Sequence, residues 1–385
     1  MPKLLYFISE DWFFCSHFLD RAKAAQQAGY EVVVLTRLRE HEGLLRNAGF
    51  RLIQLHMERG GTNPLRELGV LRQVWRVYRA ERPDLVHHIA LKPILYGSLV
   101  ARWLGSRAVV NAPVGMGYVF TAQGSRGRLL RALVRRALQA LLNPPGSKVV
   151  FENEEDLAAS VRSGSVGQPD AVLIRGAGVD TEVFAPVAPP AGTPIVVLAA
   201  RMLRDKGVVE FVEAAGLLRA RGIDVCCWLV GAPDPANPSS LTTTQLQAWQ
   251  REGVVRWCGH RDRMEQVLSQ CHIACLPSYR EGLPKFLLEA MACGLPVVAT
   301  DVTGCREAVE RDRTGLLVPP RDAHSLAEAI QTLVQSPSLR ASLGAEARTR
   351  VLARFARTRI VGETLDLYAQ MLATGRRAAD ATRAC

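Results

Sequence analysis

The strongest constraint on this chain is a regular alternation of short β-branched runs with helix-like segments, which breaks off once and then starts again. The first half predicts strands at residues 3–8, 31–36, 51–56, 84–89, 108–111 and 148–152. The second half predicts strands at residues 194–200, 225–231, 254–258, 273–276 and 296–300. Such alternation is typical of parallel sheets with crossover helices. We therefore expect an α/β fold with two Rossmann-like, doubly wound domains that face a cleft.

The chain length supports two domains, because 385 residues exceed one ordinary hydrophobic core. We expect an N-terminal domain over residues 1–175 and a C-terminal domain over residues 176–353. The last segment, 354–385, is expected to form a helix that packs back on the N-terminal domain, with a loose tail from Gly375. A proline-rich stretch at residues 184–193 is the expected linker.

The net charge of +11 is distributed unevenly along the chain. Residues 85–151 contain no Asp or Glu, while residues 124–142 combine leucines at helical spacing with five arginines. These arginines, predicted to face an anionic membrane, are Arg126, Arg128, Arg131, Arg135 and Arg136. The alternative is an ordinary sheet-covering helix with a solvated basic face. Aromatic residues do not alternate with the basic ones and no nucleic-acid-binding module is recognised, so we expect no nucleic-acid partner.

The apolar runs predict a cytosolic protein that is not integral to a membrane. The apolar start of the chain ends at Glu10 and Asp11, too early for a signal peptide. The longest uncharged stretch, residues 108–125, contains Asn111, Pro113 and several glycines, which a lipid-spanning helix does not combine at that density. The nine cysteines form no CxxC pair, so neither a zinc site nor a disulfide framework is indicated.

Two cations follow the first predicted strand of the second half. In open α/β sheets, ligands bind beyond the carboxyl ends of the strands. Arg201 and Lys206 stand at such an end, where a guanidinium and an ammonium group together suit a diphosphate. The alternative is an exposed basic turn.

A second loop, after the predicted strand at 273–276, carries two glutamates. Pro284 suits a first helical turn and Gly294 a C-terminal cap, which predicts a helix over residues 284–293. The free N–H groups at its start suit a phosphate or a sugar hydroxyl. Glu281 precedes the helix and Glu289 lies more than one turn inside it, so the two carboxylates are expected to hold different parts of an extended ligand.

Glu281 and Glu289 form an E-x7-E pattern that resembles the retaining glycosyltransferases of family 4, which have the GT-B fold. Further segments resemble that family in the same order: Arg201 with Lys206-Gly207, residues 178–184, residues 289–298 and residues 315–318. The resemblance implies that Arg201 and Lys206 hold the donor diphosphate, Glu281 the donor sugar and Glu289 the ribose. It also implies donor contacts from the backbone of Gly282, Leu283, Pro284, Lys285 and Phe286, and from the base-binding segment Gly259, His260 and Arg261.

The resemblance also implies a metal-independent transfer with retention of configuration, and we expect no cofactor beyond the nucleotide-sugar co-substrate. No Asp-x-Asp pattern follows a strand. Glu281 is therefore expected to be a binding residue and not a nucleophile. The nucleotide-sugar 2-epimerases share this architecture and remain an alternative.

The acceptor is expected in the N-terminal half. Candidate contacts at strand ends are Asp11, His17, His87, His88 and Lys92, although each histidine is equally well interpreted as a core residue. The segments 92–98 and 115–121 are similar to those of the branch that extends lipid-linked oligosaccharides. That similarity implies a polyprenyl-diphosphate sugar acceptor, a UDP-linked donor and peripheral association with the inner face of a bacterial membrane.

Overall fold

The computed structural model describes residues 1–57, 63–106, 108–114, 136–188, 190–235 and 237–383, with the backbone alone from residue 376 onward. The described chain divides into two compact units. Unit 1 comprises Met1–Ala177 and Ile360–Cys385, and unit 2 comprises Gly178–Arg359. No helix among the described residues is long and apolar enough to cross a membrane.

Unit 1 is built on a parallel sheet of seven strands. In chain order the strands are β1 (Lys3–Glu10), β2 (Glu31–Arg37), β3 (Arg51–Gln54), β4 (Leu85–Ile89), β5 (Val109–Ala112), β6 (Ser147–Phe151) and β7 (Ala171–Leu173). Their order across the sheet is β3-β2-β1-β4-β5-β6-β7. The order reverses beside β1, and such a reversal marks the ligand-binding edge of an open α/β sheet.

Helices cover both faces of this sheet. They are α1 (Asp11–His17), α2 (Leu19–Gln27), α3 (Glu42–Asn47), α4 (Pro64–Glu81), α5 (Leu91–Trp103) and α6 (Glu154–Arg162), with a further helical stretch at 136–141. Successive residues of β1 point to opposite faces, so Leu4 and Tyr6 belong to one core while Leu5 and Phe7 belong to the other.

Unit 2 repeats the pattern with a parallel sheet of six strands. These are β8 (Ile195–Ala199), β9 (Cys226–Val230), β10 (Arg256–Trp257), β11 (Ile273–Leu276), β12 (Val297–Thr300) and β13 (Gly315–Val318), ordered β10-β9-β8-β11-β12-β13. Its helices are α7 (Val208–Ala220), α8 (Thr243–Arg251), α9 (Met264–Leu268), α10 (Lys285–Ala292), α11 (Thr303–Ala308), α12 (Ala323–Gln335) and α13 (Pro337–Arg354). The expected α/β fold with two Rossmann-like domains is thus confirmed.

Three arginines of α13 satisfy the last carbonyl groups of three other helices. Such carbonyls have no partner within their own helix. Arg348 donates to Ala292 O at the end of α10, at 2.6 Å. Arg350 donates to Ala308 O at the end of α11, and Arg340 to Leu333 O in the last turn of α12. α13 therefore holds the end of α10, the helix that carries Glu289.

The C-terminal helix, α14 (Arg357–Arg383), begins in unit 2 and packs mainly on unit 1. Leu367, Tyr368 and Met371 are buried in the same core as Tyr6. The Tyr368 hydroxyl donates to the Tyr6 hydroxyl at 3.0 Å. The backbone is helical through Arg383.

Three details differ from the sequence-based expectations. The short strand β7 was not predicted, and β13 was noted only as a motif. The proline-rich stretch 184–193 is not the boundary, because the units separate between Ala177 and Gly178. Arg348 donates to Phe184 O, which ties the start of that stretch to unit 2.

Candidate active site

Two loops of unit 2 meet at the carboxyl ends of β8 and β11. The first loop ends at Gly207, whose φ of +71° suits glycine. A Cβ placed on Gly207 would lie 2.0 Å from the backbone oxygen of Pro277 in the second loop. The amide of Tyr279 also donates to Asp205 O at 2.9 Å. The two loops are therefore in direct backbone contact, and Gly207 makes that approach possible.

Side chains join the same two loops. Lys206 Nζ lies 2.6 Å from Glu281 Oε1, and the two side chains are 24% and 10% exposed. The partial burial weakens solvent screening, so this pair is stronger than an ordinary surface ion pair. The structure thus brings together two of the residues that the sequence predicted for the donor site.

Arg201 belongs to the first loop as well. Its Nη1 lies 2.6 Å from Oδ2 of Asp234, which follows β9. The Asp234 amide donates to Ser240 Oγ at 2.9 Å, so the backbone beside the carboxylate is itself fixed. Arg201 and Lys206 therefore each have a carboxylate within hydrogen-bond distance.

The side chain of Tyr279 anchors the second loop to α7. Its hydroxyl donates to Glu210 in the first turn of α7, and the guanidinium carbon of Arg321 lies 4.5 Å from its ring centroid. Burial, reinforced by Glu210, raises the pKa of Tyr279 to about 12, so the phenol stays protonated and remains a donor. Tyr279 is two residues from Glu281, and its anchoring restricts where that carboxylate can lie.

Helix α10 begins at Lys285, with Pro284 as its N-cap residue. A Cβ placed on Gly304 would lie 2.4 Å from Gly282 O, so α11 packs directly on the loop before α10. The side chains of Leu283 and Pro284 are buried, while Lys285 and Phe286 are partly exposed. Donor contacts from the backbone of these residues stay a prediction.

Glu289 lies one turn further along α10 and is 8% exposed. Burial raises the pKa of its carboxyl, and Lys285, whose Nζ lies 3.3 Å from Oε1, opposes that shift only in part. A ribose hydroxyl is a suitable partner for such a desolvated carboxyl, because it both donates and accepts hydrogen bonds.

The segment Gly259, His260 and Arg261 follows β10 at the edge of the sheet. The Gly231 amide donates to Gly259 O at 2.7 Å, which fixes the segment against β9. The side chains of His260 and Arg261 are exposed and line an open depression of about 390 Å³, together with Trp228 and Arg256.

Asp11 has a structural role in unit 1. It is 1% exposed, and its carboxylate oxygens accept backbone N–H groups from Trp12 at 2.7 Å, Arg39 at 2.6 Å and His41 at 3.2 Å. These bonds fix the loop after β2. This corrects the expectation that Asp11 faces an acceptor, because its oxygens are buried and already bonded.

His87 and His88 are also core residues. His87 Nδ1 lies 2.6 Å from the Tyr368 hydroxyl, and His88 Nδ1 lies 2.7 Å from Asn111 Oδ1. Burial lowers the pKa of His87 well below its usual value and that of His88 to about 4. Both imidazoles are neutral and fully enclosed, which corrects the expectation that they contact the acceptor.

The buried histidines predict that unit 1 loses stability in mild acid. The unfolded chain binds a proton at His88 near pH 6.5, whereas the folded chain does so only near pH 4. Between these values the unfolded state binds more protons, so stability falls as pH falls. His88 alone accounts for about 2 kcal/mol between pH 7 and pH 5. Urea unfolding at both pH values tests this, and a His88→Gln variant should lose less; an equal loss would exclude His88 as the cause.

Lys92 lies beyond the carboxyl end of β4, and its contact with the acceptor stays a prediction. It lies in the first turn of α5, just beyond β4, and its Nζ is 2.7 Å from Glu67 Oε1. The Tyr96 hydroxyl donates to the other oxygen of Glu67. His17, in the last turn of α1, is partly buried with its ring centroid 4.2 Å from that of Phe13.

Of the five arginines predicted to face a membrane, only Arg136 belongs to the described residues, and it is exposed on the helical stretch 136–141. Arg126, Arg128, Arg131 and Arg135 lie outside them.

Both units match known protein families. Residues 193–336 match the family "Glycosyl transferases group 1", and residues 3–142 match "Glycosyl transferase 4-like". The chain belongs to the GT-B glycosyltransferases. The glycosyltransferase is 29% identical over 338 residues to the N,N'-diacetylbacillosaminyl-diphospho-undecaprenol alpha-1,3-N-acetylgalactosaminyltransferase of Campylobacter jejuni, covering 84% of this chain and 87% of the relative. It is 26% identical to the putative glycosyltransferase EpsD of Bacillus subtilis, over 95% and 96% of the two chains.

Solved glycosyltransferase structures share the fold of this glycosyltransferase. A sucrose-phosphate synthase from Thermosynechococcus elongatus superimposes with a TM-score of 0.78 at 24% identity, over 97% of this chain and all of that chain. Anabaena HepE in complex with UDP and glucose gives a TM-score of 0.77 at 19% identity, over 96% of this chain and all of that chain. The assignment to the GT-B fold is thus confirmed.

Two carboxylates of this glycosyltransferase were missed by the sequence analysis. Asp234 follows β9 as Arg201 follows β8, and the two strands are neighbours in the sheet. Inspection of every strand end, with attention to acids as well as bases, would have found Asp234. Glu67 is in the first turn of α4, and only the fold brings it to Lys92.

Proposed function

We propose that this glycosyltransferase moves a sugar from a UDP-sugar to a lipid-linked saccharide acceptor, with retention of the anomeric configuration. The observation that carries the proposal is the preformed site of unit 2, where Arg201, Lys206 and the start of α10 follow neighbouring strands. The undecaprenol-linked substrate in the name of the Campylobacter relative supports the acceptor class. The UDP complex of HepE supports the nucleotide.

The proposed chemistry depends on stabilising a leaving group. As the bond between the anomeric carbon and the diphosphate breaks, negative charge develops on the phosphate oxygen. Arg201 and Lys206 supply positive charge for it, and the N–H groups at the start of α10 supply preorganised donors. The acceptor hydroxyl attacks from the side of the leaving group, its oxygen bonds to the anomeric carbon, and its proton passes to the departing phosphate.

Glu281 acts in this proposal as a binding residue. Its carboxylate accepts hydrogen bonds from donor-sugar hydroxyls, while Glu289 holds the ribose. The ion pairs of Arg201 with Asp234 and of Lys206 with Glu281 then exchange for contacts with the donor diphosphate. The loop contacts at Gly207 and Tyr279 keep the cations in position during that exchange.

The acceptor is proposed to bind unit 1 at the strand ends beside Lys92, whose ammonium group suits the acceptor diphosphate. The enzyme is then proposed to work at the inner face of the cytoplasmic membrane, where an anionic surface is a further partner.

The test is incubation with undecaprenyl-diphosphate saccharides and a panel of UDP- and GDP-sugars, followed by mass spectrometry of the lipid product. A lipid product heavier by one sugar, with UDP released only when acceptor is present, is the expected result. NMR of the new linkage reports the anomeric configuration. Release of UDP together with free epimerised sugar, without any acceptor, would instead identify a nucleotide-sugar 2-epimerase.

We further predict that transfer does not depend on a divalent metal, because protein cations take on the diphosphate charge. The initial rate should be unchanged after treatment with EDTA and should not rise on addition of Mg²⁺ or Mn²⁺. Loss of transfer in EDTA with full recovery on adding one of these ions would refute this prediction and leave the donor assignment untouched.

A further inference from the structure

Helix α4 of unit 1 exposes apolar side chains at its N-terminal end. Leu65 is 81% exposed and Leu68 is 54% exposed. The two residues are three apart and so lie on one side of the helix. Val70, Val74 and Tyr78 on the opposite side are buried in the core of unit 1. The leucines are therefore not part of the packing that holds α4 in place.

The same side of α4 continues as a purely basic surface. Arg72, Arg76 and Arg79 follow at helical spacing and are all exposed. Trp75 is half-buried among them, with its ring centroid 5.1 Å from the guanidinium carbon of Arg79. We call this side the α4 surface; its residues are Leu65, Leu68, Arg72, Trp75, Arg76 and Arg79.

No carboxylate of α4 neutralises these arginines. The two acids of the helix are Glu67 and Glu81. Glu67 bonds to Lys92 and Tyr96, and Glu81, which is 8% exposed, pairs with Lys3 and Arg51. Both acids of the helix therefore face away from the α4 surface, whose own charged residues are all arginines.

The position of the α4 surface matters as much as its composition. α4 begins at Pro64, ten residues after the end of β3, and its first turn lies near the carboxyl end of β4. The Glu67–Lys92 ion pair of 2.7 Å measures that proximity directly. Because Glu67 faces away from the leucines, a bilayer bound by Leu65 and Leu68 would lie on the other side of α4, about 10 Å from the start of α5.

We propose that the α4 surface docks the enzyme on an anionic lipid bilayer. Leu65 and Leu68 enter the boundary between headgroups and acyl chains, while the arginines contact lipid phosphates. A helix side with exposed leucines, a tryptophan and arginines as its only charged residues is typical of helices at such a boundary. Only the role of this docking rests on the proposed function: it would bring a lipid-linked acceptor to the edge near Lys92.

Sedimentation with vesicles at low salt tests the proposal. The wild type should bind phosphatidylglycerol vesicles and be released from them at high salt, and it should bind pure phosphatidylcholine far less. The variant with Arg72→Gln, Arg76→Gln and Arg79→Gln should have a partition coefficient about a hundredfold lower, since each basic residue contributes roughly tenfold or less. The variant with Leu65→Ser and Leu68→Ser should lose about tenfold or more, because less apolar surface is buried.

Matched controls distinguish the effect of the α4 surface from the effect of lowering the net charge or the exposed apolar area elsewhere. The variant with Arg219→Gln, Arg221→Gln and Arg251→Gln loses the same charge from exposed positions of unit 2. Leu352, which is 48% exposed on α13, provides Leu352→Ser as the apolar control. Both controls should bind vesicles as the wild type does.

Three results would each overturn the proposal: a wild type that does not bind the anionic vesicles, equal binding to neutral vesicles, or unchanged binding by the arginine variant. Calorimetric titration with UDP in solution measures donor binding, so it tests the proposed function independently of vesicle binding. All α4 variants should bind UDP as the wild type does. If neither the wild type nor any variant binds UDP, the result counts against the proposed donor and not against membrane docking.

Discussion

Replacing Lys206 or Glu281 by alanine is expected to lower sugar transfer about a hundredfold at saturating donor, with the fold intact. Both side chains lie on loops above the sheet and not in its core. Losing one charged partner of the transition state costs about 3 kcal/mol, which corresponds to roughly a hundredfold in rate. Because the two residues pair at 2.6 Å, the double variant should lose less than the product of the two single losses.

The control for this prediction lies in the same loop. Arg204 is exposed, and Arg204→Ala removes a cation two residues from Lys206 without removing its ion pair. Its transfer rate should stay within about twofold of the wild type, as for most surface changes. Initial rates of sugar transfer, measured with the accepted donor, compare each variant with the wild type. Near-wild-type turnover by Lys206→Ala or Glu281→Ala would refute the site assignment.

Gly207→Ala is expected to disrupt the site without removing any functional group. The new Cβ would lie 2.0 Å from Pro277 O, and alanine is strained at a φ of +71°. The two loops must then separate, which we expect to destabilise unit 2 by about 2–3 kcal/mol. Lys206 and Glu281 move apart with the loops, so the affinity for UDP should fall at least tenfold.

Gly216→Ala is the matched control. Gly216 lies within α7, and a Cβ there meets no atom within 4 Å. That variant should keep its UDP affinity and gain a little stability, since alanine favours a helix more than glycine does. Denaturant unfolding and calorimetry with UDP measure both effects. Equal behaviour of the two variants would mean that the close approach at Gly207 has no role in donor binding.

The sequence was sufficient to predict the α/β architecture because buried strands and helices differ in apolar periodicity. All six strands expected in unit 1 are present, with boundaries shifted by up to two residues. The short strands were harder: β7, with three residues, was not predicted, and β10, with two residues, was predicted as a longer strand over 254–258. Strands of that length carry too few residues for a periodic signal.

The donor loops were predictable because each is a continuous segment with its own order of residue types. The acceptor candidates were not, because burial depends on distant parts of the chain. His87 faces Tyr368, which is 281 residues away, and His88 lies against Gly97, where an added Cβ would approach Nε2 to 2.4 Å. Nothing near the two histidines in sequence distinguishes a strand end that faces solvent from one that is enclosed by helices.

Amide hydrogen exchange with and without UDP tests the placement of the donor site most directly. UDP should slow exchange in three segments of unit 2: residues 201–207, the base-binding segment 259–261 and the loop and helix 281–289. Lys206→Ala should abolish that protection at the same UDP concentration, while Arg204→Ala should preserve it. Protection of these three segments in the wild type is the predicted result, and protection confined to the strand ends of unit 1 would contradict it.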